Sequence, residues 1–175
     1  MTEEQLIEGC KRGKRQAQEE LYNTFSNKMM GVCLRYAGER ETARDLLQEG
    51  FVKVFTKIKD YSGSGSFEGW IRKIFVNCAL EYLRMHDAMR ETVDLNNLES
   101  IQTSNSSPIK ALTASELMGL IKSLPIGYRT VFNMFAIEGY THKEISSMLN
   151  ITESSSRSQL AHARQILQSK VNELY

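Results

Sequence analysis

Three times along the chain a threonine is followed three positions later by a glutamine or glutamate, and apolar residues then recur at helical spacing. The three sites are Thr2-Glu-Glu-Gln5, Thr113-Ala-Ser-Glu116 and Thr141-His-Lys-Glu144. Each is a capping box, in which the hydroxyl and the longer side chain satisfy each other's free backbone N–H groups at a helix start. Behind the first box, Leu6 and Ile7 open a short helix that Gly13 breaks. A second helix is predicted from about 14 to 36, with Ala17, Leu21, Phe25, Met29, Val32 and Tyr36 on one side and Gly38 as its C-cap. The third runs from 41 to 59 with Leu47, Phe51, Val54 and Ile58 as its inner stripe, and the glycine–serine stretch 61–66 is a loop. The fourth, 67 to 86, turns Ile71, Ile74 and Cys78 inward.

Residues 91–112 change character. They are acidic, rich in Asn and Ser, lack a sustained period and contain Pro108, and so read as a flexible linker longer than intradomain connections usually are. With 175 residues, 41% of them hydrophobic, the chain has core enough for two small domains, 1–90 and 113–175. In the second, Leu117, Leu120, Ile121 and Leu124 follow the capping box until Pro125 stops the helix. Val131, Phe132 and Phe135 stripe the next helix as far as Gly139. The third box starts a helix carrying Ile145, Met148 and Leu149, and Asn150 supplies the left-handed residue of a helix-turn-helix, with Ile151 buried under the turn. The fold class is all-α.

The final helix begins oddly. "TESSSRSQLAHAR" (152–164) is rich in serine, which favours caps over helix interiors, yet Leu160, Ala163, Leu167, Val171 and Leu174 follow as one apolar stripe that extrapolates back to Ser156. The other side presents Ser154, Ser155, Arg157, Ser158, Ala161, His162 and Arg164. Small hydroxyls let a helix approach a groove closely, and arginine donates in bidentate fashion to guanine or phosphate. The leading turns of a recognition helix are where such residues belong. Charge permits this without requiring it: the whole chain is +1, residues 117–175 balance at +2 and residues 91–116 at −3, from the Lys, Arg, Asp and Glu they contain.

Other classes are poorly served. Cys10, Cys33 and Cys78 are odd in number and widely spaced, fitting neither a disulfide framework nor a CxxC pair and pointing to a reducing cytoplasm. No metal or other cofactor is expected, since His142 and His162 have no further ligand at suitable spacing. No catalytic residue is assigned, because the serines have no evident His/Asp partners. No apolar run reaches membrane-spanning length, so direct membrane insertion is not expected.

Residues 123–167, "SLPIGYRTVFNMFAIEGYTHKEISSMLNITESSSRSQLAHARQIL", resemble region 4 of sigma-70-family factors. "ARDLLQEGFVKVFTKI" (43–58) and "SFEGWIRKIFVNCALEYLR" (66–84) resemble region 2, and the order of the two parts resembles the extracytoplasmic-function group. The resemblance implies a sigma factor whose partners are core RNA polymerase, through the β′ clamp helices and the β flap, and promoter DNA. An anti-sigma factor, often membrane-bound in such families, is implied as a further partner. Onto this chain it places a polymerase-binding face at Asp45, Leu46, Gln48, Glu49 and Val52. Recognition of a melted −10 strand falls to Tyr61, Phe67, Trp70, Lys73, Asn77 and Arg84. Recognition of the −35 duplex falls to Lys143, Ser154, Ser155, Arg157, Ser158, Gln159, His162 and Arg164. Family members usually carry an apolar β-branched residue where Ser156 stands and a basic one where Gln159 stands, so the promoter sequence cannot be copied from relatives. Two rivals remain: a conventional helix-turn-helix regulator that binds duplex DNA without polymerase, and a helical protein-interaction adaptor. The outer face of Asp45, Gln48 and Glu49 and the Trp70 helix speak against the first. Arg157 and the turn-helix spacing speak against the second.

Overall fold

The computed structural model describes residues 1–86 and 112–174; most of the expected linker, 91–111, lies outside the described residues. All regular structure among the described residues is helical, and the chain divides into two compact units, Met1–Tyr82 and Leu83–Tyr175.

The first unit contains α1 (Glu3–Lys11), α2 (Arg15–Ala37), α3 (Arg40–Lys57) and all but the last three residues of α4 (Phe67–Met85), with a 3₁₀ turn at Ile58–Asp60 after α3. The capping box forms as the sequence predicts, with Gln5 N–H donating to the Thr2 hydroxyl and Thr2 N–H to the Gln5 side-chain Oε1. Gly38, at φ 77°, closes α2 in the left-handed region. The expected stripe of α2 is buried throughout. On α3 the expected Phe51, Val54 and Ile58 are buried, but the stripe continues through Gly50, Leu46 and Ala43, and Leu47 is only half-buried. The reason is Gly50. A Cβ there would stand 2.1 Å from the fully buried Phe75 ring of α4, so the helices cross at a residue with no side chain to count. The 3₁₀ turn ends α3 two residues earlier than the sequence suggests and still buries Ile58.

The second unit contains α5 (Ala114–Lys122), α6 (Ile126–Phe132), a π-helical stretch Asn133–Ile137, α7 (His142–Leu149) and α8 (Glu153–Leu174). The π turn, with Glu138 N–H donating to the Asn133 carbonyl at 2.9 Å, shifts the inner face. Tyr128, Val131 and Met134 fill the core, and Phe132 and Phe135 are left half-buried. Arg129 is buried as well, its guanidinium donating to the Lys122 and Leu124 carbonyls at 3.1 and 3.4 Å and so sealing the end of α5. Other expectations are corrected here. Leu117 and Leu174 are 43% and 55% exposed, and Ile151 is half-buried. At Thr141 only half of the capping box forms, the hydroxyl accepting from Glu144 N–H at 3.1 Å. Asn150 does adopt φ 55°, ψ 48°, and the Thr152 hydroxyl accepts from Ser155 N–H at 3.0 Å, which turns the chain from α7 into α8.

Candidate nucleic-acid interfaces

On α8 the inner side is Ser156, Leu160 and Ala163, so the extrapolation of the apolar stripe to Ser156 holds. Ser156 is fully buried, and its hydroxyl shares a 2.8 Å hydrogen bond with His142 Nδ1 at the start of α7. The imidazole also stacks on Phe135, 4.4 Å between centroids. Desolvation, then the charges of Arg157 and Arg164, lower the His142 pKa, against an opposing contribution from Glu153. This bond ties the start of α7 to the first turn of α8, and sequence reasoning missed it: a buried serine on an apolar stripe was the available signal.

The exposed side of α8 carries Ser154, Arg157, Ser158 and Arg164, and Lys143 is exposed on α7. Arg157 pairs with Glu153 at 3.6 Å, and the Arg164 guanidinium lies 5.8 Å from the Phe135 ring centre. Three of the expected contact residues are less available. Ser155 and Gln159 are half-buried and bond one another at 3.1 Å, and half-buried His162 stacks on Tyr128 at 5.4 Å.

On α4, Lys73, Asn77 and Arg84 are exposed and Trp70 is half-buried. The indole rests on an aromatic floor, 5.2 Å from the Tyr61 ring and 5.9 Å, nearly parallel, from that of Phe67. Tyr61 and Phe67 are themselves buried, 6% and 1% exposed, and the Tyr61 hydroxyl donates to the Gly65 carbonyl at 3.0 Å. These two are therefore supports and not direct contacts: the loop between them folds over its own aromatic ends. Gly63 and Gly65 both take positive φ, which makes that tight return feasible.

On α3, Asp45, Gln48 and Glu49 are exposed and Val52 is 65% exposed, giving a polar face with one apolar contact. Leu46 is 2% exposed and belongs to the core, so its expected role as a contact is withdrawn. Lys53 braces the edge of this face. Its ammonium bonds Glu81 of α4 at 2.7 Å and approaches Glu49 at 3.1 Å, and the Glu81 bond first among the causes holds its pKa above the ordinary lysine value. The cysteines behave as small buried hydrophobes. All three are buried, and desolvation pushes the Cys33 thiol up to about 12.

A sequence-family description of Sigma-70 region 2 matches residues 21–89, and one of Sigma-70, region 4 matches residues 114–167, together more than two thirds of the chain. The chain belongs to the sigma-70 family. Within it the chain sides with the extracytoplasmic-function group. It is 25% identical to the ECF RNA polymerase sigma-E factor of Haemophilus influenzae over 99% of this chain and 97% of that one. It is 23% identical to the RNA polymerase sigma-H factor of Pseudomonas aeruginosa, over 94% and 91% of the two chains. Among solved structures, the sigma factor RpoE of Bartonella quintana, crystallised with the anti-sigma factor NepR, shares the fold with a TM-score of 0.52, 14% identity and coverage of 89% of this chain and 96% of that one. Among the described residues of this sigma-family chain, no helix is long and apolar enough to cross a membrane.

Proposed function

We propose that this chain is a promoter-specificity subunit: it binds core RNA polymerase, directs it to promoters and assists DNA melting, while the polymerase performs the chemistry. The observation that carries this is the presence in one chain of both sigma regions, each with an exposed polar helix face backed by a packed core. A helix-turn-helix regulator would need only the second. In this reading residues 1–90 form the region 2 domain, 91–112 the linker and 113–175 the region 4 domain. Asp45, Gln48, Glu49 and Val52 meet the polymerase β′ clamp helices. Trp70, Lys73, Asn77 and Arg84 handle the melted −10 strand, the indole offering a stacking face and the others holding backbone and base edge. Lys143, Ser154, Arg157, Ser158 and Arg164 face the −35 major groove, with Ser155, Gln159 and His162 at its margin. The work is done in the cytoplasm, and an anti-sigma factor is inferred as the partner that holds the subunit inactive.

The direct test is reconstitution with purified core polymerase. Asp45→Arg places a cation in an otherwise acidic exposed face and should weaken association at least tenfold with an unchanged circular-dichroism spectrum. Full affinity in the folded variant would remove the face from this role.

A further inference from the structure

Four of the five residues from Lys11 to Arg15 are cationic, separated only by Gly13, whose φ of +69° turns the chain from α1 into α2. Lys11 and Arg12 lie at the C-terminal end of α1, where a helix dipole favours cations, but helix stability does not account for Lys14 and Arg15. Lys14, the N-cap of α2, makes no capping bond, and the first turn of α2 has no acidic residue, so Lys14 and Arg15 sit against the helix dipole. Nor do ion pairs. Glu8 approaches Lys11 at 3.8 Å and Arg12 at 4.0 Å, while Lys14 and Arg15, both exposed, have no ion-pair partner among the described residues.

The turn also has a position. On one flank of α1, Lys11 lines a concavity of about 330 Å³ with Glu4, Ile7 and Glu8 of α1 and Tyr61, Ser62 and Gly63 of the loop before α4. On the other flank, Arg12, Lys14 and Arg15 line a wider groove of about 670 Å³ with Gln5 and Gln16. Glu8 borders both and is offset by its two cationic neighbours, while Glu4 keeps the smaller concavity from being positive. The cationic surface is therefore the wider groove, where Arg12, Lys14 and Arg15 stand, with Lys11 between it and the loop.

We propose that the turn 11–15 is a phosphate-binding surface for the DNA single strand that continues past the −10 element. It rests on the reading of the α4 face and its loop as the −10 site. Lysine and arginine at such a turn bind the backbone without reading sequence, so the contact adds affinity and salt dependence and leaves −10 sequence preference unchanged.

The test uses holoenzyme reconstituted with the wild-type chain or with the R12A/K14A/R15A variant. Two kinds of forked promoter probe are compared: one whose unpaired strand stops at the −10 element, and others extended by several unpaired nucleotides past either end. Extension on one side should strengthen wild-type binding. The variant should lose about tenfold of that gain, with the slope of log affinity against log salt shallower by about 2, as expected for three lost single-strand phosphate contacts. Short-probe binding and core affinity should not change. No gain from extension in the wild type, an undiminished gain in the variant, equal loss on both probes, or loss of core association would each overturn the proposal, the last assigning the turn to polymerase instead. Trp70→Ala is run alongside on the short probe. If it binds normally, the −10 reading fails, whereas the turn is judged only by the difference between probes.

Discussion

Ser156 is a residue at which apolar patterning and hydrogen bonding give opposite forecasts. From the stripe alone, valine belongs there and would stabilise by burying its methyls. The fully buried hydroxyl is instead bonded to His142 Nδ1, and deleting that bond costs about 1 kcal/mol, which cancels or exceeds the gain. Ser156→Val is therefore expected to lower the stability of the second unit by up to about 1 kcal/mol in thermal or denaturant unfolding. The same pair carries a pH dependence. The folded-state pKa of His142 lies below its ordinary 6.5, so the unfolded chain binds the proton more readily. This contribution to stability is complete above pH 6.5 and is lost as pH falls through the lowered folded value. His142→Asn should flatten that acid-side decline relative to the wild type, and an NMR titration of the ring checks the direction. The stripe made the burial of Ser156 legible; its partner was not, because His142 lies fourteen residues away across the turn.

At the scale of the element, α3 and α4 show which part of an interface a period reveals. The outer face of α3 could be read directly, since exposed polar residues keep their helical spacing. On the inner face Phe51, Val54 and Ile58 were legible, but Leu47 was read in place of Leu46, because Gly50 contributes its backbone to the Phe75 crossing and adds nothing to an apolar count. Gly50→Ala tests this crossing. In an open helix the change would stabilise by about 1 kcal/mol. Against a fully buried ring it should destabilise by roughly 1–3 kcal/mol, seen as a lower denaturation midpoint. At α4 and the loop before it, the aromatic residues read from sequence as one DNA-facing set divide into a floor, Tyr61 and Phe67, and a half-exposed ring, Trp70. Exposure of an aromatic depends on how the loop returns on itself, which composition does not encode. Trp70→Ala should accordingly lose stability and promoter melting together, and Asn77→Ala melting alone. Permanganate reactivity of unpaired thymines, read beside unfolding curves, separates the two; normal melting by both variants would leave these positions structural.

At the scale of the whole molecule, the question is what the chain can do without polymerase. The proposed −35 face offers Lys143, Arg157 and Arg164, and of these Arg157 is already shared with Glu153. The proposed −10 face offers Lys73 and Arg84, and its expected ligand is a strand that is not yet melted in duplex promoter DNA. A net charge of +1 adds no long-range attraction. Each face alone therefore makes few phosphate contacts, and few contacts mean weak, salt-sensitive binding. On the proposed reading, polymerase changes this by engaging the chain through α3, after which binding at one promoter element brings the other within an intramolecular encounter. Effective concentrations of that kind raise overall affinity by about 10²–10⁴ without any new contact. The free protein should thus give no sequence-specific complex with promoter duplex at micromolar concentration and moderate salt, and the same duplex should be retained once core polymerase is added. Electrophoretic mobility shifts with and without core, against a scrambled duplex, decide it. A tight specific complex formed by the protein alone would mean that α8 carries enough contacts by itself, and that the chain acts as a conventional regulator.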